Sequence, residues 1–78
     1  MEKLPIISGK ELLKILYTFG FEPIRQKGSH VRIKKKTEKE TIVSIVPLHK
    51  KLDIGTLNGI LKQCSITKEE FFQKYHKR

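Results

Sequence analysis

Arg25, Lys27, Ser29 and His30 fall within one short run, Arg25-Gln26-Lys27-Gly28-Ser29-His30. Two cations, a hydroxyl and an imidazole held this close together can engage a phosphodiester. Histidine is the one residue type among them whose unperturbed pKa lies near neutrality, so His30 could carry a proton in either direction. Arginine grips a phosphate with a planar fork, lysine with a point charge. Chemistry at a phosphodiester calls on a proton carrier and on cations that hold the charged phosphate. His30 can serve as base or acid, with Arg25, Lys27 and Ser29 at the phosphate. A solitary histidine at a strand start is more often solvated or held by a local hydrogen bond. The neighbouring cations add weight to a chemical role without displacing that reading.

The surrounding chain must place these residues. Phe21 to Gln26 and His30 to Lys35 read as strands, and Lys27-Gly28-Ser29 as the turn between them. Gly28 can take φ > 0 without strain, which favours a tight hairpin. Pro23 lacks an N–H donor and is expected at a sheet edge or a strand start. In the second strand Val31 and Ile33 alternate with His30, Arg32 and Lys34, so those last three project from one face. Lys36 to Glu40 is a charged, solvated connection. Thr41 to Val46 is a third strand, rich in β-branched residues and apolar on both faces. It is expected to be more buried than its neighbours, and Pro47 ends it.

Met1 to Ile7 reads as a lead-in strand or arm. Ser8-Gly9-Lys10-Glu11 fits a capping box, and Leu12, Ile15, Leu16 and Phe19 recur behind it at helical spacing. Gly20 suits a left-handed C′ position, so the first helix runs from about Gly9 to Phe19. Past the strands, Leu48 to Leu52 is a basic loop. Asp53 caps a second helix whose buried stripe is Leu57, Ile60, Leu61 and Cys64. Thr67-Lys68-Glu69-Glu70 repeats the capping box ahead of a short last helix that packs Phe71, Phe72 and Tyr75. The tail His76-Lys77-Arg78 is expected to fray. The whole predicts an α+β fold of α-β-β-β-α order over residues 1–78 as one domain. Its three strands pair as an antiparallel meander, with helices on one face and a short extra helix at the end. His30, Arg32 and Lys34 would then stand on the open face.

Composition narrows the function classes. The chain has 78 residues, enough for one small core and too few for a deep cofactor cavity. Lysine and arginine number 17 against 8 acidic residues, a formal charge of +9, which points to a polyanionic partner: RNA, DNA, an acidic protein or, less well, an anionic membrane. Cys64 is the single cysteine, which excludes an internal disulfide and a cysteine-based zinc site; on its apolar stripe it reads as a small buried hydrophobe. The acids are scattered and no His/Asp/Glu pair has ligand spacing, so neither metal nor cofactor is expected. No apolar run is long enough to span a bilayer, and Met1 to Pro5 lacks the apolar stretch of a signal peptide. A cytoplasmic protein without membrane contact is expected.

Further candidates lie beyond the third strand. His49 can act as a partner acid or phosphate contact, or only complete its loop. Lys50 and Lys51 follow it directly. The start of the second helix, at Gly55 and Thr56, offers N–H groups to a phosphate, although Asp53 would oppose one there. Arg32, Lys34 and Gly28 complete the set of expected RNA contacts.

Five pieces together resemble the HicA family of toxins. They are the Ser8-Gly9-Lys10-Glu11 helix start, the Gly20-Phe21 step, Arg25-Gln26-Lys27-Gly28-Ser29-His30, Val46-Pro47-Leu48-His49, and Gly55-Thr56-Leu57 with Ile60-Leu61-Lys62-Gln63. They stand in the family's order and cover nearly the whole chain. The resemblance implies a fold similar to a double-stranded-RNA-binding domain. It also implies metal-independent endoribonucleolytic cleavage of mRNA, with the histidine of the Gly-Ser-His motif, here His30, as catalytic residue. Its implied partner is a HicB antitoxin that binds the toxin and blocks the site. The long charged loop Lys36 to Glu40 and the basic tail depart from the family without removing a motif.

Two other functions fit the same residues. A non-catalytic RNA-binding module would use the same basic face without cutting. A DNA-binding protein fits less well, because the second helix carries only Lys62 as a clear cation and no helix-turn-helix spacing is present.

Overall fold

The computed structural model describes residues 3–77. The chain runs α1 (Gly9–Thr18), β1 (Glu22–Lys27), β2 (His30–Lys36), β3 (Thr41–Pro47), α2 (Ile54–Gln63) and α3 (Lys68–Tyr75). The strands form a three-stranded sheet in the order β1-β2-β3, both pairs antiparallel. This is the predicted α+β, α-β-β-β-α arrangement, and it is consistent with a double-stranded-RNA-binding-domain-like fold.

The helix ends are set by local chemistry. Ser8 accepts from the Glu11 N–H at 3.0 Å while the Glu11 carboxylate accepts from the Ser8 N–H at 3.2 Å, a closed capping box. Thr67 and Glu70 repeat it on α3. At the C-terminal end of α1, Gly20 has φ +94°, and the Gly20 and Phe21 N–H groups donate back to the Tyr17 and Leu16 carbonyls. This is a Schellman closure. After α2 the same pattern recurs with Ser65 in the left-handed position, φ +58°, and with the Ser65 and Ile66 N–H groups donating to Lys62 and Leu61. A serine there carries Cβ strain that glycine avoids. Ser65→Gly is therefore expected to raise stability by about 0.5–1 kcal/mol, the strain relieved less the extra entropy glycine loses on folding. Denaturant unfolding with an unchanged slope reads this out.

Asp53 and Glu70 are expected to make two helix starts sensitive to acid. The Asp53 carboxyl lies below its ordinary range because it accepts from the Thr56 backbone N–H and hydroxyl. Glu70 is lowered in the same way by Thr67. Both folded values lie below the unfolded ones, so their stabilisation is complete above the ordinary carboxylate range near pH ~4 and is lost as pH falls through the lower folded values. The melting temperature should drop on acidification below that range, and Asp53→Asn should flatten part of the drop.

The core lies between the helices and one sheet face. It includes Leu12 and Leu16 of α1, Val31 and Ile33 of β2, Val46 of β3, Leu57 and Leu61 of α2, and Phe71 of α3. Leu4 and Ile7 of the N-terminal segment close one end. Residues 3–8 are non-strand, so the lead-in is an arm; Met1 and Glu2 lie outside the described residues. His76 and Lys77 form a turn off the end of α3. The His76 N–H donates to the Phe72 carbonyl at 3.0 Å, and its ring stacks on Phe72 at 5.5 Å. Arg78 lies outside the described residues.

One expectation is overturned. β3 is an edge strand, and β2 is the central one. Short connections make a meander, and a meander puts its middle strand at the centre. Val43 and Ile45 of β3 consequently remain 38% and 45% exposed on the open face, while Ser44 and Val46 turn into the core. Cys64 is buried as predicted, and burial pushes its thiol up.

Candidate nucleic-acid interface

Lys27 pairs with His30, which leaves Gly28 and Ser29 as a two-residue turn. φ is positive at Gly28 (+58°) and not at Ser29, the pattern of a type II′ hairpin turn. The register places Arg25 beside Arg32 and Arg32 beside Ile45. A shift between Pro23 and Arg25, where β1 bulges, brings Arg25 onto the same row as Arg32. Arg25, Lys27, Gly28, Ser29, His30, Arg32 and Ile45 then line one open depression on the uncovered sheet face. His30, Arg32 and Lys34 are all exposed, as the alternation predicts. Arg25, Lys27 and Arg32 carry no ion pair among the described residues, so their charge is available to an anion.

The turn is anchored to the far side of the sheet. The Ser29 carbonyl accepts from the Leu48 N–H at 2.6 Å. The His49 carbonyl accepts from the Gly9 N–H at 2.9 Å, and the Leu52 N–H donates to the Ile7 carbonyl at 2.8 Å. The start of α1 thus pins the loop after β3 from both sides. A side chain at residue 9 would collide with the Pro47 carbonyl oxygen, so this pinning needs glycine. The result sets the His49 ring 6.4 Å from the His30 ring, edge to face at 76°. Neither imidazole has a hydrogen-bond partner among the described residues.

Not every expected contact converges on the depression. Lys34 stands on the same face one row away, beside Glu22 and Val43. Lys50 and Lys51 are exposed in the loop after His49 but do not line it. Gly55 and Thr56 do not supply free donors. The Thr56 N–H is held by the Asp53 carboxylate at 2.7 Å, its hydroxyl at 3.0 Å, and the Gly55 N–H also reaches Asp53. The capping carboxylate occupies the position a phosphate would take. Ile45 is a lining residue that the sequence reading missed. Period-two alternation puts Val43 and Ile45 on one face of β3, but only the Arg32–Ile45 register shows which face. Among the described residues no group of three or more His, Cys, Asp or Glu side chains is placed to hold a metal ion.

Comparison with known protein families matches residues 9–66 to the family described as HicA toxin of bacterial toxin-antitoxin. The chain belongs to the HicA toxin family. The match spans α1 through α2 and includes the hairpin turn, His30 and His49. Neither the curated proteins nor the solved structures contain a significant match to the chain. Membership makes it a toxin of a toxin–antitoxin pair and so implies a protein partner. No helix among the described residues is long and apolar enough to cross a membrane.

Proposed function

We propose that this HicA-family toxin is an endoribonuclease that cuts mRNA in the cytoplasm without a metal. In this reading His30 is its catalytic residue, a HicB-type antitoxin inhibits it, and residues 1–78 act as one domain. The observation that carries the reading is the convergence of Arg25, Lys27, Ser29, Arg32 and His30 on one depression, with a second imidazole 6.4 Å away. His30 takes the proton of a ribose 2′-OH. The freed oxygen attacks the adjacent phosphorus, the bond to the 5′ oxygen breaks, and a 2′,3′-cyclic phosphate forms. His49, whose ring stands beside that of His30, returns a proton to the departing 5′ oxygen. Arg25, Lys27 and Arg32 carry the extra negative charge of the transition state, and the Ser29 hydroxyl orients the phosphate. Lys34, Lys50 and Lys51 extend the track for the RNA backbone. Gly55 and Thr56 are left out because Asp53 already holds their donors.

The test is a labelled RNA of defined sequence, incubated in EDTA, with every ribose at the cleaved position replaced by 2′-deoxyribose in a parallel sample. The RNA should be cut to a 2′,3′-cyclic phosphate end and the substituted strand should stay intact. Cleavage of the substituted strand overturns the mechanism. The same exposed cations also suit a non-catalytic RNA-binding module. That reading predicts salt-sensitive binding with no scission of either strand.

A further inference from the structure

The two edges of the sheet are guarded very differently. β1 carries Glu22, Arg25 and Lys27, a proline and a bulge, all devices that discourage another strand from pairing. β3, Thr41-Ile42-Val43-Ser44-Ile45-Val46-Pro47, has no charged residue at all. Its backbone phase can be read from its exit. The Leu48 N–H donates to the Ser29 carbonyl at 2.6 Å, directly across the ladder. Residues at even spacing from Leu48, which are Val46, Ser44 and Ile42, therefore share hydrogen bonds with β2. Thr41, Val43 and Ile45 point their N–H and C=O groups outward, and no other backbone or side-chain group among the described residues meets them. Pro47 closes this row with a carbonyl and no donor.

We propose that the outer edge of β3 is the docking strand for a protein partner, which adds an extended, acidic segment to the sheet. This rests on the toxin–antitoxin reading and specifies how the partner binds. Charge selects the occupant. Arg32 lies directly across from Ile45, and Lys34 across from Val43. An added strand therefore sits one strand beyond a row of cations that can lean over Val43 and Ile45. Carboxylates on the open face of that strand meet those cations, and apolar residues on its other face turn to the helix side. A second copy would instead bring another +9 chain with the same cations. Main-chain pairing supplies the affinity of such strand addition, and the side-chain pattern supplies the specificity.

The probe is a synthetic peptide alternating valine and glutamate, titrated into the full chain up to millimolar concentration. Controls are the same peptide with lysine for glutamate and a version N-methylated on alternate amides. The glutamate peptide should bind and slow amide exchange at Thr41, Val43 and Ile45 by about tenfold or more, and both controls should fail. Val43→Pro removes an outward donor without touching the ladder to β2 and should weaken binding by about tenfold. Val43→Glu, which keeps the backbone intact, should do so by repulsion. Absence of binding, or binding without protection of the three amides, overturns the proposal. Self-association that Val43→Pro abolishes overturns it in favour of a second copy. RNA cleavage followed in the same samples reports on His30 separately, so a failed ribonuclease reading and a failed edge are told apart.

Discussion

His30→Ala is expected to lower metal-free RNA cleavage by about 10²–10⁴-fold, the range a positioned acid or base contributes. The loss should be chemical. His30 is exposed and its imidazole has no hydrogen-bond partner among the described residues; its one ring neighbour there is His49. Its removal should change stability by no more than ~0.5 kcal/mol, as for surface positions generally. RNA affinity should fall little, because Arg25, Lys27 and Arg32 remain to hold the backbone. His49→Ala should cost less than His30→Ala. If the two rings pass one proton flow, the double variant should fall little further than His30→Ala alone, since groups that act as a unit are non-additive. Single-turnover rates for the four proteins give this directly. Independent, multiplying losses would separate His49 from the chemistry.

Gly9→Ala is expected to be the most damaging single-methyl change in the chain. The added Cβ would run into the Pro47 carbonyl oxygen and lie 3.0 Å from the Leu48 Cα. Both are backbone atoms at the end of an antiparallel ladder, so neither can step aside as a flexible side chain does. Overpacking of this kind costs about 1–3 kcal/mol, and the rigid neighbours put Gly9→Ala at the upper end. A chain of 78 residues has only roughly 4–12 kcal/mol in hand. The change should also reach the site, because the Gly9 N–H holds the His49 carbonyl at 2.9 Å. Movement of that loop by ~1 Å is enough for a loss of about 10²-fold in a positioned reaction. Denaturant unfolding and cleavage rates should therefore fall together. A variant of parental stability would contradict the close contact between α1 and the β3 exit.

Much of this architecture is legible in the residues themselves. Capping boxes at Ser8 and Thr67, the glycine stop at Gly20 and the alternation from His30 to Lys34 are local signals, and local hydrogen bonding decides each outcome. The same holds for the hairpin at Gly28, which gathers four of the chemistry-bearing residues because they are neighbours in sequence. What local pattern cannot supply is the relation between distant segments. β3 looks like a buried strand because it is apolar on both faces. Whether it is central or at the edge depends on pairing order, and there its second apolar face stays in water. Ile45 joins the depression through its register with Arg32, and His49 comes beside His30 through the backbone bonds of its loop to Ser29, Gly9 and Ile7. The α2 start misled for a related reason. Its N–H groups are near the chain's basic loop, but Asp53, legible as a cap, takes them first.

His30, in the proposed mechanism, does chemistry on RNA and does not merely hold it. The most direct measurement is cleavage and binding of one labelled RNA, both in EDTA, by the parent protein and by His30→Ala. Both should bind with similar, salt-sensitive affinity, and only the parent should cut. Equal cleavage by the two proteins, or binding by both with no cleavage by either, would contradict that mechanism.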